Sequence, residues 1–103
     1  MARSLADALG TVLRLAPERV WVRVSALAQD AYAENAARLD PASLPVFVCV
    51  LHADVPEPVA LAAQAAAIAQ TVGECVGCAS ERVHVEYAPA GRGRMAFGGK
   101  LVQ

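Results

Sequence analysis

The chain is poor in aromatic residues and in charge. Only 5% of its 103 residues are aromatic and 18% are charged, whereas 56% are hydrophobic. Little charge beside so much apolar composition argues against a disordered chain. Nine basic residues stand against ten acidic ones. That balance removes the electrostatic case for a nucleic-acid partner, which needs a clustered positive surface. No uncharged stretch reaches the ~18–20 apolar residues of a membrane span. The longest, residues 59–73, is interrupted by Gln64 and Gln70, so no membrane partner is expected. A secretory leader is not seen either: the start Met1-Ala2-Arg3-Ser4-Leu5 lacks the apolar run and the cleavage signal. Three cysteines, an odd number, do not make a disulfide framework. A reducing, cytoplasmic setting is the expectation.

What is present is a repeat. At a constant offset Ala2 falls on Ala65, Ala6 on Ala69, Gly10 on Gly73 and Ala16 on Ala79. Glu18-Arg19-Val20 falls on Glu81-Arg82-Val83, Val22 on Val85 and Ala33 on Ala96. Self-similarity of this kind means that one supersecondary unit is used twice. The second copy has a segment ahead of its helix that the first copy lacks. The chain therefore reads as one domain, 1–103, with an incomplete first unit over 1–44 and a complete second unit over 45–103.

Within the first unit, Leu5, Leu9, Val12, Leu13 and Leu15 recur at helical spacing from Ala2 to Leu15, and Pro17 ends the pattern. Arg19 to Val24 alternates, with Val20, Val22 and Val24 on one side, and predicts a half-buried strand. Residues 25–40 read as a polar loop. In the second unit, Val46 to His52 is a continuous apolar run, expected as a strand buried on both faces with Cys49 in the core. Asp54-Val55-Pro56-Glu57-Pro58 signals a helix start. Val59 to Val72 predicts an alanine-rich helix, Arg82 to Tyr87 a second alternating strand, and Met95 to Leu101 a short glycine-bearing hairpin. A β-α-β crossover makes the two strands parallel.

Ser80 to Tyr87 followed by Phe97-Gly98-Gly99-Lys100-Leu101, together with Pro45 to Val50 as an opening strand, resembles the tautomerase superfamily. That family includes 4-oxalocrotonate tautomerase and macrophage migration inhibitory factor. The resemblance covers nearly the whole chain. It implies an α+β two-layer sandwich of pseudo-repeated β-α-β units, with helices on one face of a mixed sheet. It also implies a homotrimer, and keto–enol isomerisation of a small 2-oxo or unsaturated carboxylic acid without any cofactor. The family's catalytic group is an N-terminal proline amine, and this sequence begins Met1-Ala2. The family arginine early in the strand after the helix falls on Trp21 and His84. The arginine near the helix start falls on Val55, and the hairpin aromatic falls on Tyr32 and Met95.

The candidate site residues follow. His84 and Glu86, two apart on one strand, are candidates for acid and base. Arg92 and Arg94 in the glycine-rich tail are candidates for clamping a carboxylate, with Phe97 and Tyr32 lining its pocket. Cys75-Val76-Gly77-Cys78 has CxxC spacing, but its cysteines fall on Val12 and Leu15 of the other unit. Small apolar packing is therefore expected there rather than a metal or redox site. Arg19 and Arg82 recur, which suggests strand-start ion pairs with Glu18 and Glu81. The competing functional reading is a non-enzymatic trimeric scaffold or one subunit of a mixed oligomer, and a third is a small-anion binder using the same arginines.

Overall fold

A computed structural model describes residues 1–103. Two α-helices carry the chain's hydrophobic layer. α1 is Ala2–Val12 and α2 is Pro58–Val76. Between them lie short 3-10 turns at Gln29–Ala31 and Pro41–Ser43 and the strand β1, Val46–Val50. After α2 come a third 3-10 turn at Ser80–Arg82, then β2 (Val83–Tyr87), β3 (Ala96–Phe97) and β4 (Lys100–Leu101). The fold is α+β with two small sheets.

β1 and β2 are parallel, in the register Val46↔Val83 through Val50↔Tyr87, and α2 is their crossover. α2 starts where the sequence demands it. Proline at its first turn has a preset φ and no N–H to lose. It ends at Gly77, whose φ of 79° is left-handed, and the N–H groups of Gly77 and Cys78 both reach the Gly73 carbonyl at 2.9 Å. The returning chain lies so close that a Cβ on Gly73 would stand 2.7 Å from the Cys78 carbonyl oxygen. α1 ends in a related way without glycine. Arg14 takes a φ of 56°, and the Leu15 N–H reaches the Gly10 carbonyl at 2.9 Å.

α2 packs against α1 and β2. Leu5 of α1, Ile68 and Val72 of α2 and Val83 of β2 form the buried core, with Leu9, Val22, Val46, Val48, Val50 and Val85 packed around it. The strand valines thus face the helices. Phe47, Cys49, His84 and Glu86 face the other way and are exposed.

Four expectations change. The apolar run at Val46 to His52 is covered on one face only: Phe47 is 62% exposed and Cys49 is exposed, because nothing in the chain packs over the outer face. Arg19 to Val24 forms no strand; it runs through the layer with Val22 on the core, and residues 20–27 make no backbone–backbone hydrogen bond. A strand needs a neighbour, and none stands beside it. The ion pairs expected at Arg19 and Arg82 do not form. Both side chains are exposed, and the positions recur through the backbone instead, Arg19 N–H to Ala16 carbonyl and Arg82 N–H to Ala79 carbonyl. Cys75 is also exposed, while Cys78 is half-buried against the core.

α2 runs longer than the uncharged stretch alone suggested. At 19 residues with a mean hydropathy of 1.4 it is long and apolar enough to cross a membrane by length and composition. One of its faces is engaged by α1 and β2, through Ile68, Val72 and Gly73.

Candidate functional site

The sequence candidates divide between two ends of the sheet. On the outer face, the β1–β2 register sets Phe47 beside His84 and Cys49 beside Glu86. The Phe47 ring lies 5.5 Å from His84 and 5.6 Å from Tyr32, centroid to centroid. Tyr32, Phe47 and His84 therefore form a line of rings across the open strands. The Tyr32 hydroxyl donates to Glu34 Oε2 at 2.7 Å, and that bond to a carboxylate holds the phenol above its ordinary pKa. Beside Tyr32 the loop forms an open concavity of about 350 Å³ lined by Gln29, Glu34, Leu39 and Leu44. His84 and Glu86 are not among its walls.

At the carboxyl ends of the parallel strands, the C-terminal tail folds back over β1. The N–H groups of Gly91 and Arg92 reach the carbonyls of His52 and Ala53 at 2.7 and 3.0 Å. A Cβ on Gly91 would lie 3.3 Å from the His52 carbonyl oxygen, so a glycine suits this crossing. Arg92 forms a two-pronged pair with Asp54, Nε to Oδ1 at 2.7 Å and Nη2 to Oδ2 at 2.5 Å, and also donates to the Gln103 carbonyl. The hydrogen bond and charge of Arg92 hold the Asp54 carboxyl below its ordinary pKa, and Asp54 raises that of Arg92. With both prongs engaged by Asp54, Arg92 has its carboxylate partner inside the chain. Arg94 is exposed and forms no ion pair. Phe97 packs edge-on against Trp21, with ring centroids 4.3 Å apart.

One polar cluster was not singled out as a site in the sequence. Gln64 of α2 accepts from the Tyr87 hydroxyl at 2.9 Å and meets His52 Nε2 at 2.7 Å, with the His52 and Tyr87 rings stacked 5.8 Å apart. Gln64 Oε1 is an acceptor, so the His52 proton sits on Nε2 in this arrangement. Burial raises the Tyr87 pKa. The cluster joins the body of α2 to the carboxyl ends of β1 and β2. Its only sequence signal was a glutamine interrupting an alanine-rich helix.

His84, Glu86, Tyr32 and the tail arginines are thus not gathered around one enclosed space. The acid–base candidates stand on an open strand face, and the anion-binding candidates lie at the strand ends. No group of three or more His, Cys, Asp or Glu side chains is placed to hold a metal ion. Comparison with protein families, with characterised proteins and with solved structures finds no match to this chain.

Proposed function

We propose that this chain is a tautomerase-like subunit whose role is structural: it completes its fold inside a larger assembly and does not itself catalyse isomerisation. The observation that carries the reading is surface. The chain exposes 7839 Å², against roughly 5,500 Å² for a folded monomer of its mass, and only 6 of its 103 residues are buried. Its radius of gyration is 15.1 Å, where a compact chain of this length has about 13 Å. An excess of roughly 2,300 Å² matches what obligate oligomers hide at their interfaces. Phe47 and Trp21, 62% and 67% exposed, are the residue types enriched at such interfaces.

The pseudo-repeat supports the family reading. Leu15 N–H to Gly10 carbonyl has its counterpart in Cys78 N–H to Gly73 carbonyl, and Arg19 to Ala16 in Arg82 to Ala79. The left-handed positions Arg14 and Gly77 also correspond. A closed trimer is the assembly that family architecture implies.

The catalytic alternative needs a partly desolvated base beside a cation that holds the substrate carboxylate. His84 and Glu86 are exposed, and Arg92 is held by Asp54. The geometry therefore favours assembly. Sedimentation equilibrium of the purified protein tests this. The expected result is a single species of several times 10.7 kDa, or a complex with a second polypeptide. A monodisperse 10.7 kDa monomer that unfolds cooperatively would overturn it. Tautomerase assays with phenylenolpyruvate and 2-hydroxymuconate are expected to give rates no greater than buffer. A rate above buffer that His84→Ala abolishes would overturn the non-catalytic half of the reading.

A further inference from the structure

The chain after β2 is bonded mainly to itself. β3 and β4 pair only with each other. The N–H groups of Arg94 and Met95 both reach the Gly91 carbonyl at 2.8 Å. Gly93 N–H reaches the Val102 carbonyl at 2.7 Å, and Val102 N–H reaches the Met95 carbonyl at 2.8 Å. The Arg92 guanidinium donates to the Gln103 carbonyl. Ahead of this unit, the β1–β2 ladder closes where Ala88 N–H meets the Val50 carbonyl at 2.9 Å. Between the two, Pro89 and Ala90 take part in no backbone–backbone hydrogen bond.

What fastens the unit to the strand ends is polar and lies near its start. The N–H groups of Gly91 and Arg92 reach the His52 and Ala53 carbonyls, and Arg92 grips Asp54 with two prongs. Farther along, the Phe97 ring meets Trp21, itself an exposed side chain. From Arg92 to Gln103 no residue is buried, and none belongs to the core cluster or packs on it. A segment with so few apolar anchors opens at a lower free energy than the core. A two-stranded hairpin is marginal alone in water, so once detached it loses its own pairing as well.

We infer that residues 89–103 are a strap over the carboxyl ends of β1 and β2, which opens as one unit while β1, α2 and β2 stay folded, with the Asp54–Arg92 pair as its latch. Pro89 and Ala90 are the hinge. Opening parts Arg92 from Asp54 and frees the His52 and Ala53 carbonyls to water, at the strand ends where Gln64 joins His52 to Tyr87. Both partners of the latch are exposed, so dissolved ions weaken it and salt favours the open strap. This inference is independent of the assembly reading.

The test is residue-resolved amide hydrogen exchange of the full chain at about 0.05 M and about 1 M sodium chloride, for the native protein and for Arg92→Ala. Rates are read as protection factors, which removes the effect of salt on an unfolded amide. The expected result is one common protection for the Gly91, Arg92, Gly93, Met95 and Val102 amides, at least ~10-fold below that of α2 and the β1–β2 ladder. High salt is expected to lower all five together by about threefold to fivefold and to leave the core amides unchanged. Arg92→Ala is expected to lower the remaining four by a similar factor and to abolish their response to salt. Tail amides protected as strongly as those of α2 would overturn the strap, because nothing then opens separately. Tail amides that respond one by one would overturn the single unit. A salt response that persists in Arg92→Ala would overturn the latch. Tail amides that exchange at low salt as in an unfolded peptide would remove the closed state and the inference with it. The native protein's salt series decides the strap even if Arg92→Ala does not fold.

Discussion

Arg14 and Gly77 end their helices in the same left-handed conformation, with φ of 56° and 79°, but only one of them is glycine. A side chain in that region costs about 1 kcal/mol or more. Arg14→Gly is therefore expected to stabilise the chain by ~0.5–1 kcal/mol, raising its melting temperature by several degrees. Gly77→Ala is expected to lower it by a similar amount. The paired glycines Gly10 and Gly73 predict the opposite contrast. A Cβ at Gly10 meets only a Val20 methyl at 3.9 Å, so Gly10→Ala gains helix propensity of about 1 kcal/mol. At Gly73 the Cβ would collide with a carbonyl at 2.7 Å, and Gly73→Ala is expected to cost roughly 1–3 kcal/mol. Denaturant midpoints of the four variants check both pairs. A stabilised Gly73→Ala would show that the loop after α2 is looser than described.

Among the elements, the C-terminal tail is the one held by charge. It folds back over β1 through two backbone bonds and the Asp54–Arg92 pair. Asp54 is depressed in the folded chain, so its contribution is present above the pKa of the unfolded aspartate. It is lost as pH falls through the lower, folded value. The Asp54 carboxyl is expected to titrate below an ordinary aspartate and to return upward in Arg92→Ala, followed by carboxyl-carbon NMR. Both groups are solvent-exposed, so high salt is expected to weaken the shift. An unchanged Asp54 midpoint in Arg92→Ala would remove the pair from the account of the tail. β1 and β2 have a different support. Their valines lie on α2, and Ile68, 2% exposed, is at the centre of that contact. Ile68→Ala is expected to cost about 2–5 kcal/mol, read from thermal unfolding.

At the scale of the molecule, four buried hydrophobic side chains are a small core for 103 residues. Stability that resides in contacts between chains depends on protein concentration. The melting temperature is therefore expected to rise as concentration is raised through the dissociation range. Scanning calorimetry across a hundredfold dilution measures this, and a midpoint independent of concentration would count against the assembly.

The sequence determined both helices, both long strands, their parallel pairing and the terminal hairpin. Leu5 and Leu9 at helical spacing, Pro58 ahead of the alanine run and the alternation of Val83 and Val85 each act through local periodicity, which survives without knowledge of neighbours. The fate of Arg19 to Val24 and of Cys49 was not legible. An alternating segment becomes a strand only when another strand lies beside it, and an apolar run is buried on both faces only when something covers the second. The site candidates divide for the same reason. His84 and Glu86 share a face by period-two geometry alone, and the structure confirms only that adjacency. That Arg92 meets Asp54, and that Gln64 joins His52 to Tyr87, depends on where the tail and α2 return to the strand ends. Local spacing carries no information about groups brought together across such distances in the chain; only the tertiary structure decides which of them meet.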